Sequence, residues 1–263
     1  MTDYLVLLAR MPWYLSITWI GWIVLGLFLL LHTSSVLQAP FVPPQIQKLG
    51  YAYDADSLFR AVRAQDVKAV ETFLAAGMSP NLQGGDGMSL LAQASARGNV
   101  EIVNLLIERG ADVKLSGATA FSSAAQTGSE AVLKLLLTHF TPTTLQASAA
   151  LWKAAQRGHA AAVGLLLKSG ADPDYVPMDG NLFTPLMTAA GNGDLTTVQV
   201  LLEGGADINK DRLYAGDKEP RNQTACYWAM QGLGGGRFMP EQVEAGRRVC
   251  EYLKQRGAKN CSC

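Results

Sequence analysis

From Asp54 onward, the apolar residues of this chain recur as pairs of short stripes. One kind of stripe is Val70/Phe73/Leu74, Val103/Leu106/Ile107, Val163/Leu166/Leu167 and Val198/Leu201/Leu202. The spacing i, i+3, i+4 places three side chains on one face of a helix. Ahead of each lies a second helical run rich in alanine, with Ala94, Ala124/Ala125, Ala154/Ala155 and Ala189/Ala190. The unit is therefore a helix pair, and it repeats. The apolar residue opening the first helix is Leu58, Leu91, Phe121, Leu151, Leu186 and Cys226, at intervals of 33, 30, 30, 35 and 40 residues. The second helix ends at Gly77, Gly110, Phe140, Gly170, Gly205 and Gly257. Glycine there fits a left-handed helix cap, which L side chains resist. Phe140 predicts a different ending for the third repeat. A period of this length predicts an all-α repeat solenoid, in which each pair buries its stripe only against the next. The expected repeats are 54–87, 88–117, 118–148, 149–183, 184–223 and 224–260.

The pattern changes completely toward the N-terminus. Residues 11–47 contain no Asp, Glu, Lys or Arg. Within them Trp13–Leu31 is apolar on every face, and as a helix it would span roughly 28 Å, close to the ~30 Å core of a bilayer. Trp13 and Tyr14 sit at one edge, where amphipathic rings prefer the headgroup layer. A buried helix and a cleavable signal peptide are the rival readings. A signal peptide usually has an apolar run of about 7–15 residues. Cleavage at Ala39 would put bulky Leu37 at the −3 position and Pro40 directly after the cut. The expectation is a short stub over 1–12, a transmembrane helix over 13–31 and a proline-containing linker over 32–53. Arg10 precedes the segment and no cation follows until Lys48. Positive-inside logic then puts the N-terminus in the cytoplasm and the repeats across the membrane, in a bacterial periplasm; a cytoplasmic repeat domain is the alternative.

At the level of individual residues the register resembles the ankyrin repeat, whose pattern runs T-P-L-H-x-A-A, then G-H/N/D, then L-L-x-x-G-A-D. Thr184, Pro185, Leu186, Ala189, Ala190, Gly193, Leu201, Leu202, Gly205, Ala206 and Asp207 match it almost fully. Ser89, Leu91, Ala94, Gly98, Asn99, Gly110, Ala111 and Asp112 match, as do Ala154, Ala155, Gly158, His159, Gly170, Ala171 and Asp172. The resemblance covers roughly residues 54–260. It implies two antiparallel helices per repeat and a β-hairpin finger reaching to one side, with a concave groove that holds another protein. It also implies that His159 hydrogen-bonds within its own repeat. Several residues depart from the pattern. Gln65 stands where the family has glycine, Lys254 falls on an otherwise aliphatic stripe, and His139-Phe140-Thr141-Pro142 replaces x-G-A-D. The fingers 175–183 and 210–223 are enlarged, and 232–241 is inserted between the last two helices.

Composition excludes more than it proposes. Lys and Arg number 22 and Asp and Glu 22, so there is no basic footprint for nucleic acid. His32, His139 and His159 lack partners for catalysis, no metal-ligand spacing occurs, and no cofactor motif is present. No enzymatic activity is expected; an enzyme with an unrecognised site near 210–238 is the distant alternative. The outward positions of the first helices carry Arg60, Arg63, Arg97, Lys153 and Arg157, with glutamines between them and no carboxylate. That row is either a docking stripe for an acidic partner protein or a solvated helix face. Trp228 takes the same outward position in the last repeat. It is a binding hot spot if open, or a covered residue if the glycine-rich insertion folds over it. Cys226 and Cys250 fall on facing core positions of the last repeat, and a disulfide between them is expected in an oxidising compartment. Cys261 and Cys263 follow as further candidates. The functional expectation is a membrane-anchored protein-binding module, with immunity against a toxic effector as one concrete role. A scaffold subunit of a membrane complex is the alternative.

Overall fold

The computed structural model describes residues 43–177, 183–211, 223–231, 240–259, 261 and 263. The chain divides into Met1–Tyr53 and Asp54–Cys263. The described part of the first unit holds one short helix, α1 (Pro44–Lys48), opened by proline at its first position. The expected segment 13–31 lies outside the described residues. Among the described residues no helix is long and apolar enough to cross a membrane.

The second unit is a stack of six helix pairs: α2 (Ala55–Arg63) with α3 (Val67–Ala75), α4 (Leu90–Arg97) with α5 (Val100–Glu108), α6 (Val113–Thr127) with α7 (Glu130–His139), α8 (Thr144–Gln156) with α9 (Ala160–Lys168), α10 (Pro185–Gly191) with α11 (Leu195–Glu203), and α12 (Ala225–Gln231) with α13 (Pro240–Gln255). First helices pack on first helices and second on second, as a solenoid requires. The alanines at 94, 124, 125, 154, 155, 189 and 190 are fully buried, which lets the first helices approach closely. Phe73, Leu106, Leu136, Leu166 and Leu201 fill the layer between the two rows and are likewise inaccessible. Ile107, Leu167 and Leu202 are only half-buried, whereas Lys254, at the same position of the last repeat, is exposed. The stripe ends in a charge where the stack ends.

Short helices need their ends satisfied, and the sequence supplies caps. Asp66, Asn99 and Asp194 accept from the amides of Ala69, Ile102 and Thr197 at 3.0–3.1 Å, opening second helices. Asp54, Ser89 and Thr184 do the same for first helices. Each cap is worth about 1 kcal/mol. The five glycines predicted to end second helices do so with φ between 88° and 94°. Phe140 instead ends α7 in extended backbone, at φ −139° and ψ 128°.

The fingers differ from expectation. In the first, Gln83 and Ser89 form an isolated antiparallel bridge, and no strand occurs among the described residues. Between the second and third pairs there is no finger at all. Asp112 accepts from the amides of Lys114 and Leu115 at 2.9 and 3.0 Å and starts α6 at Val113, inside the expected second repeat. Between the third and fourth pairs, Thr143 and Gln146 form a reciprocal capping box, and α8 begins at Thr144. The physical cause is visible in the spacing. The 30-residue intervals leave too few residues for a hairpin, and Asp112 and Thr143 cap new helix starts in its place. Phe140 belongs to this change: its ring lies 6.2 Å from that of Phe121, and a β-carbon at Gly117 would sit 3.0 Å from it. Glycine in α6 makes room for the aromatic ring that replaces the glycine cap of α7.

Candidate partner-binding surface

The first helices α2, α4, α6, α8, α10 and α12 form one side of the solenoid. Their outward positions hold every cation the sequence singles out. Arg60, Arg63, Arg97 and Arg157 are exposed. Among the described residues none makes an ion pair with a carboxylate, while Arg109 pairs with Glu71 and Lys134 with Glu130. Arg60 reaches back to donate to the Ser57 hydroxyl at 2.7 Å. It also helps hold the Asp54 carboxyl below its ordinary range, after the larger effect of the hydrogen bonds from Ser57. Lys153 differs from the other four. It is half-buried, and its Nζ donates to Ser122 Oγ of the preceding repeat at 2.8 Å. It is a tie between α6 and α8 more than a free charge.

Two residues that the sequence reading passed over lie on the same first helices, in the opening turns of α6 and α8, N-terminal to the cation positions. Leu115 is 76 % exposed and Leu145 is 62 % exposed. They lie 30 residues apart, like Phe121 and Leu151, so they hold equivalent places in adjacent repeats. Both ride on the extra turns that replace the missing fingers. Their signal in the sequence was the shortened interval, which put helix where a hairpin was expected and so gave these leucines an outward position.

Trp228 is half-buried. The residues 232–239 of the insertion expected to cover it lie outside the described residues. Among the described residues its ring neighbours are Phe183, edge-on at 4.8 Å, and Tyr227 at 5.1 Å. Phe183 is fixed in turn by its carbonyl, which accepts from Trp152 Nε1 at 3.0 Å. A finger residue and three residues of first helices thus form one aromatic group across the last three repeats. Its exposed member is Tyr227, at 39 %, rather than Trp228.

Polar contacts lock the repeats at both ends of the helices. Asn81 accepts from the Asp112 amide at 2.7 Å and donates to the Gly110 carbonyl at 3.1 Å. Asn209 accepts from Lys259 at 2.8 Å. Between them in the ladder, Asp174 accepts from the Asp207 amide at 3.0 Å. Burial raises the Asp174 carboxyl above its ordinary range, opposed by that hydrogen bond. His159 Nε2 lies 3.1 Å from the Gln126 carbonyl oxygen. The contact crosses to the preceding repeat and so corrects the expectation of a bond within its own repeat. His159 is spent on stacking, and among the described residues no acid–base constellation gathers around it. A groove of about 630 Å³ on the second-helix side is lined by Ala160, Gly164, Leu167, Val200 and Gly204, with Lys168, Thr196 and Glu203 also in its wall.

The cysteines pair differently from the expected Cys226–Cys250 bond. Cys226 is joined to Cys261 and Cys250 to Cys263, with Cα separations of 5.6 and 5.8 Å. The reason is the tail. It passes close enough to both helices of the last repeat to reach each core cysteine.

Comparisons with known proteins agree with this architecture. The family model for ankyrin repeats matches residues 58–147 and 139–212. The human ASB11 ankyrin repeat domain is similar at 25 % identity, over 73 % of this chain and 82 % of that one, with a TM-score of 0.57. The ankyrin repeat domain of Bcl-3, a member of the IkappaB protein family, is similar at 26 % identity over 77 % and 86 %, also with a TM-score of 0.57. An ankyrin repeat domain from Acinetobacter baumannii AYE shares the fold at 24 % identity, 78 % and 100 % coverage and a TM-score of 0.55. No curated protein sequence matches the chain.

Proposed function

We infer the function of this chain from one premise: it belongs to the ankyrin-repeat family. Ankyrin repeats are protein–protein interaction modules, and the chain is a binding scaffold. The finer reading is that it holds an acidic partner on the first-helix side of repeats one to four. The observation that carries this is the row of exposed arginines at 60, 63, 97 and 157, none of which forms an ion pair among the described residues. Charge placed this way steers association and adds directional donors for carboxylates. Leu115 and Leu145, exposed in the opening turns of α6 and α8, offer apolar contact area on the same helix row, and charge by itself mainly steers the encounter. Tyr227 extends the surface toward the last repeat. Trp13–Leu31 anchors the module in the inner membrane with the repeats in the periplasm; the apolar length and Arg10 support that placement. Blocking a toxic effector at that membrane is one role such a molecule fills.

The test begins with cross-linking in the native host to identify the partner. A soluble partner fits an inhibitor, and an integral one a scaffold subunit. Replacing Arg60, Arg63, Arg97 and Arg157 with glutamate is expected to leave folding within about 0.5 kcal/mol per site. Affinity is expected to fall by at least tenfold, with a weaker dependence on salt. Unchanged affinity would show that the row is a solvated face. Activity of a periplasm-only reporter fused after Cys263 checks the topology; activity of a cytoplasm-only reporter there overturns it.

A further inference from the structure

The chain has four cysteines, and all of them meet at one end of the solenoid. Cys226 on α12 and Cys250 on α13 are 1 % and 0 % exposed. Cys261 is half-buried and Cys263 is exposed. The tail bonds one cysteine to each helix, as Cys226–Cys261 and Cys250–Cys263. Between these bonds lies a third contact: the sulfurs of Cys226 and Cys250 are 3.3 Å apart. The sulfurs of Cys226, Cys250 and Cys261 all lie within 4.8 Å of one another.

That arrangement has chemical consequences. Disulfides rearrange when a thiolate attacks a disulfide sulfur. Reacting atoms held at about 3–3.5 Å gain most of the advantage of an intramolecular step. A thiolate released at Cys250 is therefore already placed against Cys226. Two separate staples would not need this proximity.

We propose that the cluster is a thiol–disulfide exchange relay that releases the C-terminal tail as a free dithiol on reduction. An external dithiol enters at the exposed Cys263 sulfur, forming a mixed disulfide and freeing the Cys250 thiolate. That thiolate attacks Cys226 Sγ, forming the Cys226–Cys250 bond and breaking Cys226–Cys261. Cys261 leaves as a thiolate and takes a proton. The second thiol of the reductant then attacks its own sulfur in the mixed disulfide, closes the oxidised reductant and frees Cys263. Two electrons pass from the dithiol to the chain. One disulfide has been reduced in net terms, and the other has moved into the core of the repeat. The two helices stay linked throughout, so the solenoid end survives while the tail opens. The reaction partner is a dithiol of the oxidoreductase class.

Loop length favours neither pairing strongly. The native loops span separations of 35 and 13 residues, and the product loop is 24. Closure entropy varies only as the logarithm of these lengths. The freed tail gains conformational entropy, which draws the exchange forward.

The test treats the full chain, purified without thiol, with one equivalent of dithiothreitol. The sample is quenched by alkylation and digested with trypsin under non-reducing conditions. Cleavage after Arg237, Arg248, Lys254 and Lys259 puts Cys226 and Cys250 on separate peptides and both tail cysteines on a third. The expected product is a Cys226–Cys250 linked pair with a doubly alkylated tail peptide. The variant Cys263→Ser supplies an independent check without reductant. Its Cys250 thiol is expected to displace Cys261, leaving Cys261 as the alkylated residue. An alkylated Cys250 beside an intact Cys226–Cys261 bond, in either experiment, overturns the relay and leaves two independent staples. Uptake of zinc by the four reduced thiols in preference to closure of Cys226–Cys250 overturns it as well.

Discussion

Gln65 is the non-glycine residue with a left-handed backbone among the described residues, at φ 58°. It occupies the turn between α2 and α3. The same turn in the next four repeats is made by Gly98, Gly128, Gly158 and Gly193, with φ from 70° to 74°. An L side chain held there costs roughly 1–2 kcal/mol. Replacing it by glycine returns that strain but loosens the unfolded chain by about 0.4–1 kcal/mol. The Gln65 side chain contributes little in compensation, since its one polar contact, from Asn99 Nδ2, is exposed and at the 3.5 Å limit. The net expectation for Gln65→Gly is stabilisation by about 0.5–1 kcal/mol, or about 1–4 °C for a domain of this size. Because stability in a solenoid is local, the gain belongs to the first repeat. Urea unfolding measures its size, and amide exchange over α2 and α3 measures its place. The reverse exchange, Gly98→Gln, is expected to cost at least as much, since a β-carbon there meets Ser129 Oγ at 3.3 Å. A Gln65→Gly protein no more stable than the parent, with unchanged exchange in α2 and α3, would refute the strain argument.

Three further outcomes follow from the same geometry. Asp174→Asn keeps an acceptor for the Asp207 amide and matches Asn81 and Asn209 at equivalent places; it is expected to be up to about 1 kcal/mol more stable than the parent at neutral pH. The sign comes from the raised folded-state pKa of Asp174. The parent's penalty is absent below the ordinary carboxylate range near 4, grows as pH rises through the folded value and is complete above it. Thermal melts of both proteins from acid to neutral pH check this, and a difference that widens toward acid contradicts it. Phe140→Gly restores the family's residue yet is expected to destabilise by about 1–2 kcal/mol, because it empties the space against Gly117 and Phe121; an unchanged urea midpoint would argue against that packing. Gly246→Ala is expected to loosen the last repeat, since a β-carbon there runs into the Ala229 carbonyl oxygen; faster amide exchange confined to α12 and α13 is the readout.

Most of the scaffold was legible because it rests on periodicity and on backbone chemistry. The stripes at i, i+3, i+4 marked the second helices, and the buried alanines marked the first. The glycine positions marked the turns by a conformation only glycine adopts cheaply. The misreadings share a different cause. His159 was assigned to its own repeat, but its partner Gln126 belongs to the preceding one, and sequence order does not reveal which repeat a polar tip faces. Cys226 and Cys250 were placed correctly in the core and wrongly paired, because the path of a tail after the last helix carries no periodic signal. The sequence pairs Trp228 with the insertion that follows it, whereas a ring that packs on it comes from Phe183, 45 residues earlier. Local pattern fixed each element and left the contacts between elements open.

The two shortened intervals join fold to function. Reading 30 residues as a repeat with a clipped finger leaves Leu115 and Leu145 as finger residues of no consequence. The structure spends those residues on helix instead, with Asp112 and Thr143 as caps. In α6 the extra helix goes with a second change: Gly117 leaves room for the Phe140 ring, which stands where other repeats have a glycine cap. In α8 the equivalent positions are Ala147 and Gly170, so the extra turn there comes without that exchange. Leu115 and Leu145 share only the extra turn, and each is exposed on it. Core packing explains Gly117 and Phe140 without reference to a partner. Leu115 and Leu145 lie outside that packing, and substituting both by serine is expected to leave the urea midpoint unchanged while weakening binding only if the proposed partner touches these turns.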